Sequence, residues 1–149
     1  MLIYGRDREI ARWVGDQVGI EDFGPCVAIG VCHNVRIVAG AVFNRHSHPN
    51  IDITFATISP RWASPGAVRS ILGYPFVQLG CKRITAVTET TNQPARAFLC
   101  RLGFKQEGIH PDAFPHGDGV SFGLLRKDAS RWLAEEKLNV ERCISASCA

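Results

Sequence analysis

Asn92-Gln93-Pro94-Ala95-Arg96-Ala97-Phe98-Leu99-Cys100-Arg101-Leu102-Gly103-Phe104 reads as the exit from one strand, a short helix and the entry to another strand. The run before it, 83–88, is rich in β-branched residues and has the pattern of a strand. Within 92–102, Phe98, Leu99 and Leu102 recur at helical spacing and form a face that packs into a core. Gly103 follows the last apolar position, where a helix stop is expected. Phe104 then opens a strand over 104–109. A strand, a helix and a strand in this order require a mixed α/β domain, and the rest of the chain has to supply the sheet.

Toward the C-terminus, 110–119 reads as a turn-rich loop and 120–126 as the last strand. A terminal helix follows over 128–137, with Asp128 as its N-cap. The tail 138–149 carries weak signals and is expected to be mobile. Toward the N-terminus, 2–4 can form a short edge strand, and 6–18 places Ile10, Trp13, Val14 and Val18 close to helical spacing. Gly19 and Gly24-Pro25 end that helix. The segments 26–32 and 36–44 read as a hairpin turned at Asn34. A polar loop over 45–50 leads to 51–58, where Ile51, Ile53 and Phe55 alternate with Asp52 and Thr54. After a loop over 59–66, helical spacing returns over 67–79. Pro75 lacks an N–H and should kink or end that helix near Leu72, and Gly80 fits a stop. The order is an antiparallel meander, then helix, strand, helix and two strands. One crossover leads from strand 51–58 over a helix to strand 83–88. A single domain over 1–137 accommodates all of it.

The chain has 149 residues, 46% of them apolar, enough to bury a core without staples. No apolar run approaches the roughly 20 residues of a membrane helix. Residues 1–5 show no signal-peptide pattern. Six cysteines stand at 26, 32, 81, 100, 143 and 148, with no C-x-x-C pair. Reduced thiols in a cytoplasmic protein are therefore expected. Neither Cys81 nor Cys100 has a histidine partner evident in the sequence, so both read as buried or incidental thiols. The net charge of +3 hides an asymmetry: 33–88 carries six basic residues (Arg36, Arg45, Arg61, Arg69, Lys82, Arg83) against one acid, Asp52. Such a pole suits a polyanion, and coenzyme A and nucleic acid both qualify.

Asn92, Ala95, Phe98, Arg101, Gly103 and Phe104 are in register with the N-x-x-A-x-x-[LF]-Y-x-[KR]-x-G-F signature of the GNAT acyltransferases, an acetyl-CoA-dependent superfamily. The chain resembles that family over 51–126. The resemblance implies a GNAT-like α/β fold: a mixed, mostly antiparallel sheet with flanking helices and a splayed central strand pair. It also implies acetyl-CoA as cofactor. Leu99 stands where the family often has a tyrosine whose hydroxyl protonates the departing thiolate. Arg61-Trp62-Ala63-Ser64-Pro65-Gly66 is similar to the family's R/Q-x-x-G-x-G/A loop, with Ser64 in place of the first glycine. The physics behind that loop is a helix N-terminus whose free N–H groups meet a pyrophosphate. Ser64 can donate through its N–H and its hydroxyl; Pro65 has no backbone N–H to give.

By resemblance, Arg61, Ser64 and Gly66 cradle the pyrophosphate, and Arg69, one turn on, meets phosphate oxygens. Backbone donors within 55–58, near Ile58, polarise the thioester carbonyl. Asn92 orders the pantetheine arm. An amine nucleophile must also lose a proton, and Asp52, Glu89 and His33 are the candidate bases. His46-x-His48 supplies only two ligands from a loop, so no metal is expected. His110 and His116 border the acceptor side in the family's layout.

The reaction implied is transfer of an acyl group, usually acetyl, from acyl-CoA to an amine of a protein or small molecule, through a ternary complex. A homodimer is open and no membrane is involved. Two other readings stand beside it. One is a DNA-base-modifying enzyme of phage type on the same scaffold, for which the basic middle region and Trp62 speak. The other is a non-catalytic GNAT-fold binding module, for which Leu99 and the Ser64-Pro65 loop speak.

Overall fold

The structure is a computed structural model describing residues 1–133, and every element below lies among them. The strands are β1 (Leu2–Ile3), β2 (Cys26–His33), β3 (Arg36–Ser47), β4 (Asn50–Thr57), β5 (Arg83–Glu89), β6 (Lys105–Phe114) and β7 (Gly117–Leu125). They form one sheet in the order β1-β2-β3-β4-β5-β7-β6. All neighbours are antiparallel except β4 and β5, which run parallel. Helices α1 (Asp7–Val18), α2 (Pro65–Gly73) and α3 (Gln93–Leu102) flank it.

Alternation along the strands divides the core into two layers. Ile29, Ala41, Phe43, Ile51, Ile53, Ile84, Phe122 and Leu124 share one cluster with Val68, Ile71 and Leu72 of α2 and Leu99 and Leu102 of α3. On the other face Ala28, Val42 and Ala56 pack against Ile10 and Val14 of α1. Both α1 side chains are fully buried, each contributing about 1.5–3 kcal/mol by area. Gly40 is what lets α1 come this close: a Cβ there would sit 2.7 Å from Val14 Cγ2 and 3.2 Å from Ile10 Cγ2.

Several elements outrun their sequence signals. β3 continues through Arg45, His46 and Ser47, because its partner β4 supplies ladder bonds that polar side chains do not disturb. Likewise β6 and β7 form a long hairpin through the stretch expected to be a loop. A second crossover joins β5 through α3 to β6, which lies beyond β7. Asn34 and Val35 both have positive φ, the geometry of a tight two-residue hairpin turn. At Pro75 the chain passes from α2 into a single π-helical turn, Tyr74–Gln78, and Gly80 closes it at φ +67°. Asp128 lies inside a 3-10 turn, Arg126–Ala129, and not at an N-cap. Residues 130–133 are helical, as expected; the remainder of that helix, 134–137, and the tail over 138–149 lie outside the described residues.

Candidate active site

β4 and β5 pair over only three positions, Asn50–Arg83, Ile51–Ile84 and Asp52–Thr85. Past Asp52 they part, and a cleft of about 270 Å³ opens between them. Ile53, Thr54 and Phe55 line one wall; Ala86, Val87, Thr88 and Glu89 line the other. Asn92, Ala95, Phe98 and Leu99 of α3 close one side, and Gln17, Val18, Ile20 and Phe114 reach it from the other. Hydrogen bonding fixes which backbone groups face this gap. Ile58 donates its N–H to the Val38 carbonyl at 2.9 Å, toward β3. Antiparallel pairs alternate, so Ala56 and Thr54 also bond toward β3, and the peptide groups of Phe55 and Thr57 turn toward the gap. The expected donor near Ile58 is thereby corrected: its N–H is spent inside the sheet.

A polar chain closes the other end of the strand pair. Thr85 Oγ1 donates to Asn50 Oδ1 at 2.7 Å, and Arg83 Nη1 donates to Thr85 Oγ1 at 2.8 Å. Asn50 Nδ2 donates to Asp52 Oδ1 at 3.2 Å, and Arg45 Nε meets Asp52 Oδ2 at 2.9 Å. Arg83 also pairs with Glu107 on β6. That pair crosses β7 at Gly123, where a Cβ would lie 2.5 Å from Glu107 Oε1. Asp52 therefore belongs to a clamp below the cleft, and it is absent from the cleft lining.

At the start of α2, Ser64 is the N-cap: its Oγ accepts from the Ala67 N–H at 3.2 Å. Its own N–H donates to the Trp62 carbonyl at 2.9 Å, so the donation expected from that group is already used. Pro65 has none, and Val68 donates to Ser64 O within the helix. Gly66 is the first-turn donor that remains. No atom lies within 4 Å of where its Cβ would stand. Arg61, Ser64 and Gly66 line one groove of about 730 Å³ together with Ser59, Trp62 and His33. Trp62 of the groove packs against two rings of the cleft lining, 6.3 Å from Phe55 and 5.3 Å from Phe98, centroid to centroid.

No family model matches the sequence, and neither does any curated protein. Solved structures do match in shape. A spermidine N-acetyltransferase SpeG variant from Vibrio cholerae superposes with a TM-score of 0.64 at 14% identity, over 91% of this chain and 99% of that one. Mycobacterium smegmatis RimJ, solved with CoA-disulfide, gives 0.64 at 17% identity over 91% and 88%. A GNAT-family acetyltransferase from Bacillus anthracis gives 0.56 at 19% identity over 67% and 66%. The chain has the GNAT fold. It spans about two thirds of the length of that last protein.

Within the GNAT frame the candidates separate. Glu89 and Asn92 reach the cleft. Asn92 is the N-cap of α3, its Oδ1 accepting from the Ala95 N–H at 3.2 Å. Arg69 is drawn away from the groove: its Nε donates to the Trp132 carbonyl at 3.1 Å. His33 lines the groove beside Arg61 and Ser64, and it is not among the residues lining the cleft. His110 and His116 sit on the exposed β6–β7 hairpin, and it is Phe114 of that hairpin that enters the cleft. Leu99 is buried in the cleft wall where the tyrosine was expected. Among the described lining residues no tyrosine, cysteine or histidine occurs, and Thr54 and Thr88 carry the hydroxyls. The end of α1, Phe114 and the two threonines were not legible as site residues. Their types are ordinary for a helix end or a strand, and only the fold brings them together.

Proposed function

We propose that this GNAT-fold protein is an acyl-CoA-dependent N-acyltransferase, with acetyl as the acyl group and an amine as the acceptor. The observation that carries this reading is the parting of β4 from β5 immediately past Asp52–Thr85. It supplies strand-edge N–H groups in a cleft, the donors an acyl carbonyl needs. Acetyl-CoA, when bound, supplies an activated thioester. The residues present fit it: Gly66 has an open N–H at the start of α2, and Arg61 and Ser64 line the same groove. Arg69 and the Ile58 N–H, held by other partners, are left out of the binding set.

Glu89, the carboxylate of the cleft lining, accepts the proton of the attacking amine. Phe55 and Thr57 offer backbone N–H groups where negative charge develops on the carbonyl oxygen. Asn92 holds the start of α3 at the cleft edge and has its amide Nδ2 free of the cap bond. Asp52 is a positioning residue that keeps the strand bases together. A thiol has a pKa of about 8.5, so a thiolate can leave without a tyrosine to protonate it, and solvent serves in place of Leu99. A nucleic-acid acceptor draws less support, because Arg69 and Arg83 of the basic stretch bond to groups of the protein itself. A cytoplasmic setting and a homodimer remain part of the proposal.

Titration with acetyl-CoA, followed by thermal shift, tests the reading. Saturable stabilisation is expected, reaching about 2.7 kcal/mol at a hundredfold excess over Kd. An amine screen with thiol detection then finds the acceptor. No saturable binding up to millimolar acetyl-CoA overturns it.

A further inference from the structure

We propose that His46, His48 and Cys81 form a zinc site that staples the β3–β4 turn to the segment entering β5. Their ligand atoms all lie within 4.8 Å of one another. The sequence hides the site, since two histidines in one turn and a distant cysteine show no common spacing.

Backbone features bring the three together. Asn44 pairs with Asp52, but the next pair is Ser47–Asn50, so β3 carries one extra residue. Arg45 sits at this bulge with φ +47°. Bulges re-aim side chains. Arg45 reaches Asp52 on the α1 face, and His46 turns to the opposite face, where Cys81 lies in the α2–α3 core layer. Cys81 follows Gly80, whose left-handed φ reverses the chain, and its N–H is anchored on the Pro75 carbonyl at 2.9 Å. Lys82 and Arg83 both donate N–H groups to the Pro49 carbonyl, at 2.9 and 3.2 Å. The two segments are thus latched by main chain before any metal is considered.

The donor chemistry selects the ion. One thiolate and two imidazoles are a borderline-soft set, suited to zinc and unsuited to magnesium or calcium. Tetrahedral zinc, with Zn–S near 2.3 Å and Zn–N near 2.0–2.1 Å, needs its ligand atoms about 3.3–3.7 Å apart. Closing from 4.8 Å takes about 1 Å, within reach of exposed imidazoles that turn on their own χ angles while buried Cys81 stays. Binding forms the Zn–S bond and releases the thiol proton to solvent. The fourth position faces outward and takes water. The site lies at the clamped end of the β4–β5 pair, and it stands whether or not the acyltransfer reading does.

Cobalt(II) is the probe. The full chain, stripped of metal under reducing conditions, should bind one equivalent and develop a thiolate-to-cobalt charge-transfer band with tetrahedral ligand-field bands, displaced by zinc. Zinc should also raise Tm. His46→Ala and His48→Ala change exposed residues and should keep the fold, checked by circular dichroism. Each should weaken cobalt binding by about 100-fold or more, and Cys81→Ser should abolish the charge-transfer band. Cys100→Ser should leave both unchanged. Absence of a thiolate band at stoichiometric cobalt overturns the site, and so does an unchanged cobalt affinity in either histidine variant.

Discussion

Asn92 combines a structural and a functional assignment, and two substitutions pull them apart. Its Oδ1 caps α3 through the Ala95 N–H, while its amide Nδ2 is free to face an arm in the cleft. Asn92→Ala removes both. Loss of an N-cap costs about 0.5–2 kcal/mol, typically near 1. For a chain near this size, 1 kcal/mol corresponds to a fall in Tm of about 2–4 °C. Asn92→Asp keeps an acceptor oxygen at the cap and adds a negative charge at a helix N-terminus, which is favourable by about 0.3–1 kcal/mol. Its Tm should therefore match or slightly exceed that of the parent. The same change removes the amide donor, worth about 0.5–1.5 kcal/mol, so Kd for acetyl-CoA should rise by about 2–12-fold. Differential scanning calorimetry reads the first effect and isothermal titration the second. If Asn92→Asp falls in Tm as far as Asn92→Ala, the cap is wrongly assigned. If it binds acetyl-CoA as the parent does, Asn92 is a cap and nothing more.

Gly66→Trp should leave Tm within about 1–2 °C, since the space before Gly66 is open, and should abolish saturable acetyl-CoA binding in calorimetry; retained affinity removes α2 from the phosphate site. Glu89→Gln should lower kcat by about 10²–10⁴-fold with Kd for acetyl-CoA unchanged, read by steady-state thiol release once an acceptor is found. Stability should also fall in alkali. Burial, with Asp7 beside them, pushes the Cys26 thiol and the Tyr74 phenol above their ordinary values of 9.0 and 10.0. Well below pH 9 both groups keep their protons in either state and nothing is lost. Above it the unfolded chain ionises first and is favoured, until pH passes the folded-state values. Tm from pH 8 to 11 should decline, less so in Tyr74→Phe, and a flat profile contradicts the burial argument.

Local signals carried the reading wherever one residue type has one physical use. Gly103 at φ +107° ends α3 where the apolar periodicity stops, and Pro75 ends the α-helical geometry of α2. Ile51, Ile53 and Phe55 announce a half-buried strand, and they share the α2–α3 layer. What the sequence concealed depends on partners. Polar strands such as 45–47 and 110–114 persist because a neighbour completes their ladders. Ser64 was legible as a residue of the α2 start, yet its N–H is taken by Trp62, a contact set by the 3-10 turn. Arg69, one turn past the loop, was expected by resemblance to meet phosphate oxygens, and Trp132, sixty-three residues away, claims its Nε.

Asp52 shows how such a displacement bears on mechanism. As the single acid in a basic stretch it draws attention as a base, and isolation in sequence is what makes it look catalytic. In space it is not isolated. Arg45 arrives through a bulge and Asn50 through the turn, both on its own face of the sheet. Both oxygens of that carboxylate already have partners, a guanidinium and an amide, and the side chain is absent from the cleft lining. The same bonds tie β3 to β4, while Thr85 and Arg83 extend the chain across β5 to Glu107. A parallel pair with only three registered positions needs such a tie to part at a defined place. The cleft begins where the polar chain stops, one residue past Asp52. On the proposed acyltransfer reading, the carboxylate left for chemistry is the one at the open end, Glu89, which lines the cleft where β4 and β5 have parted.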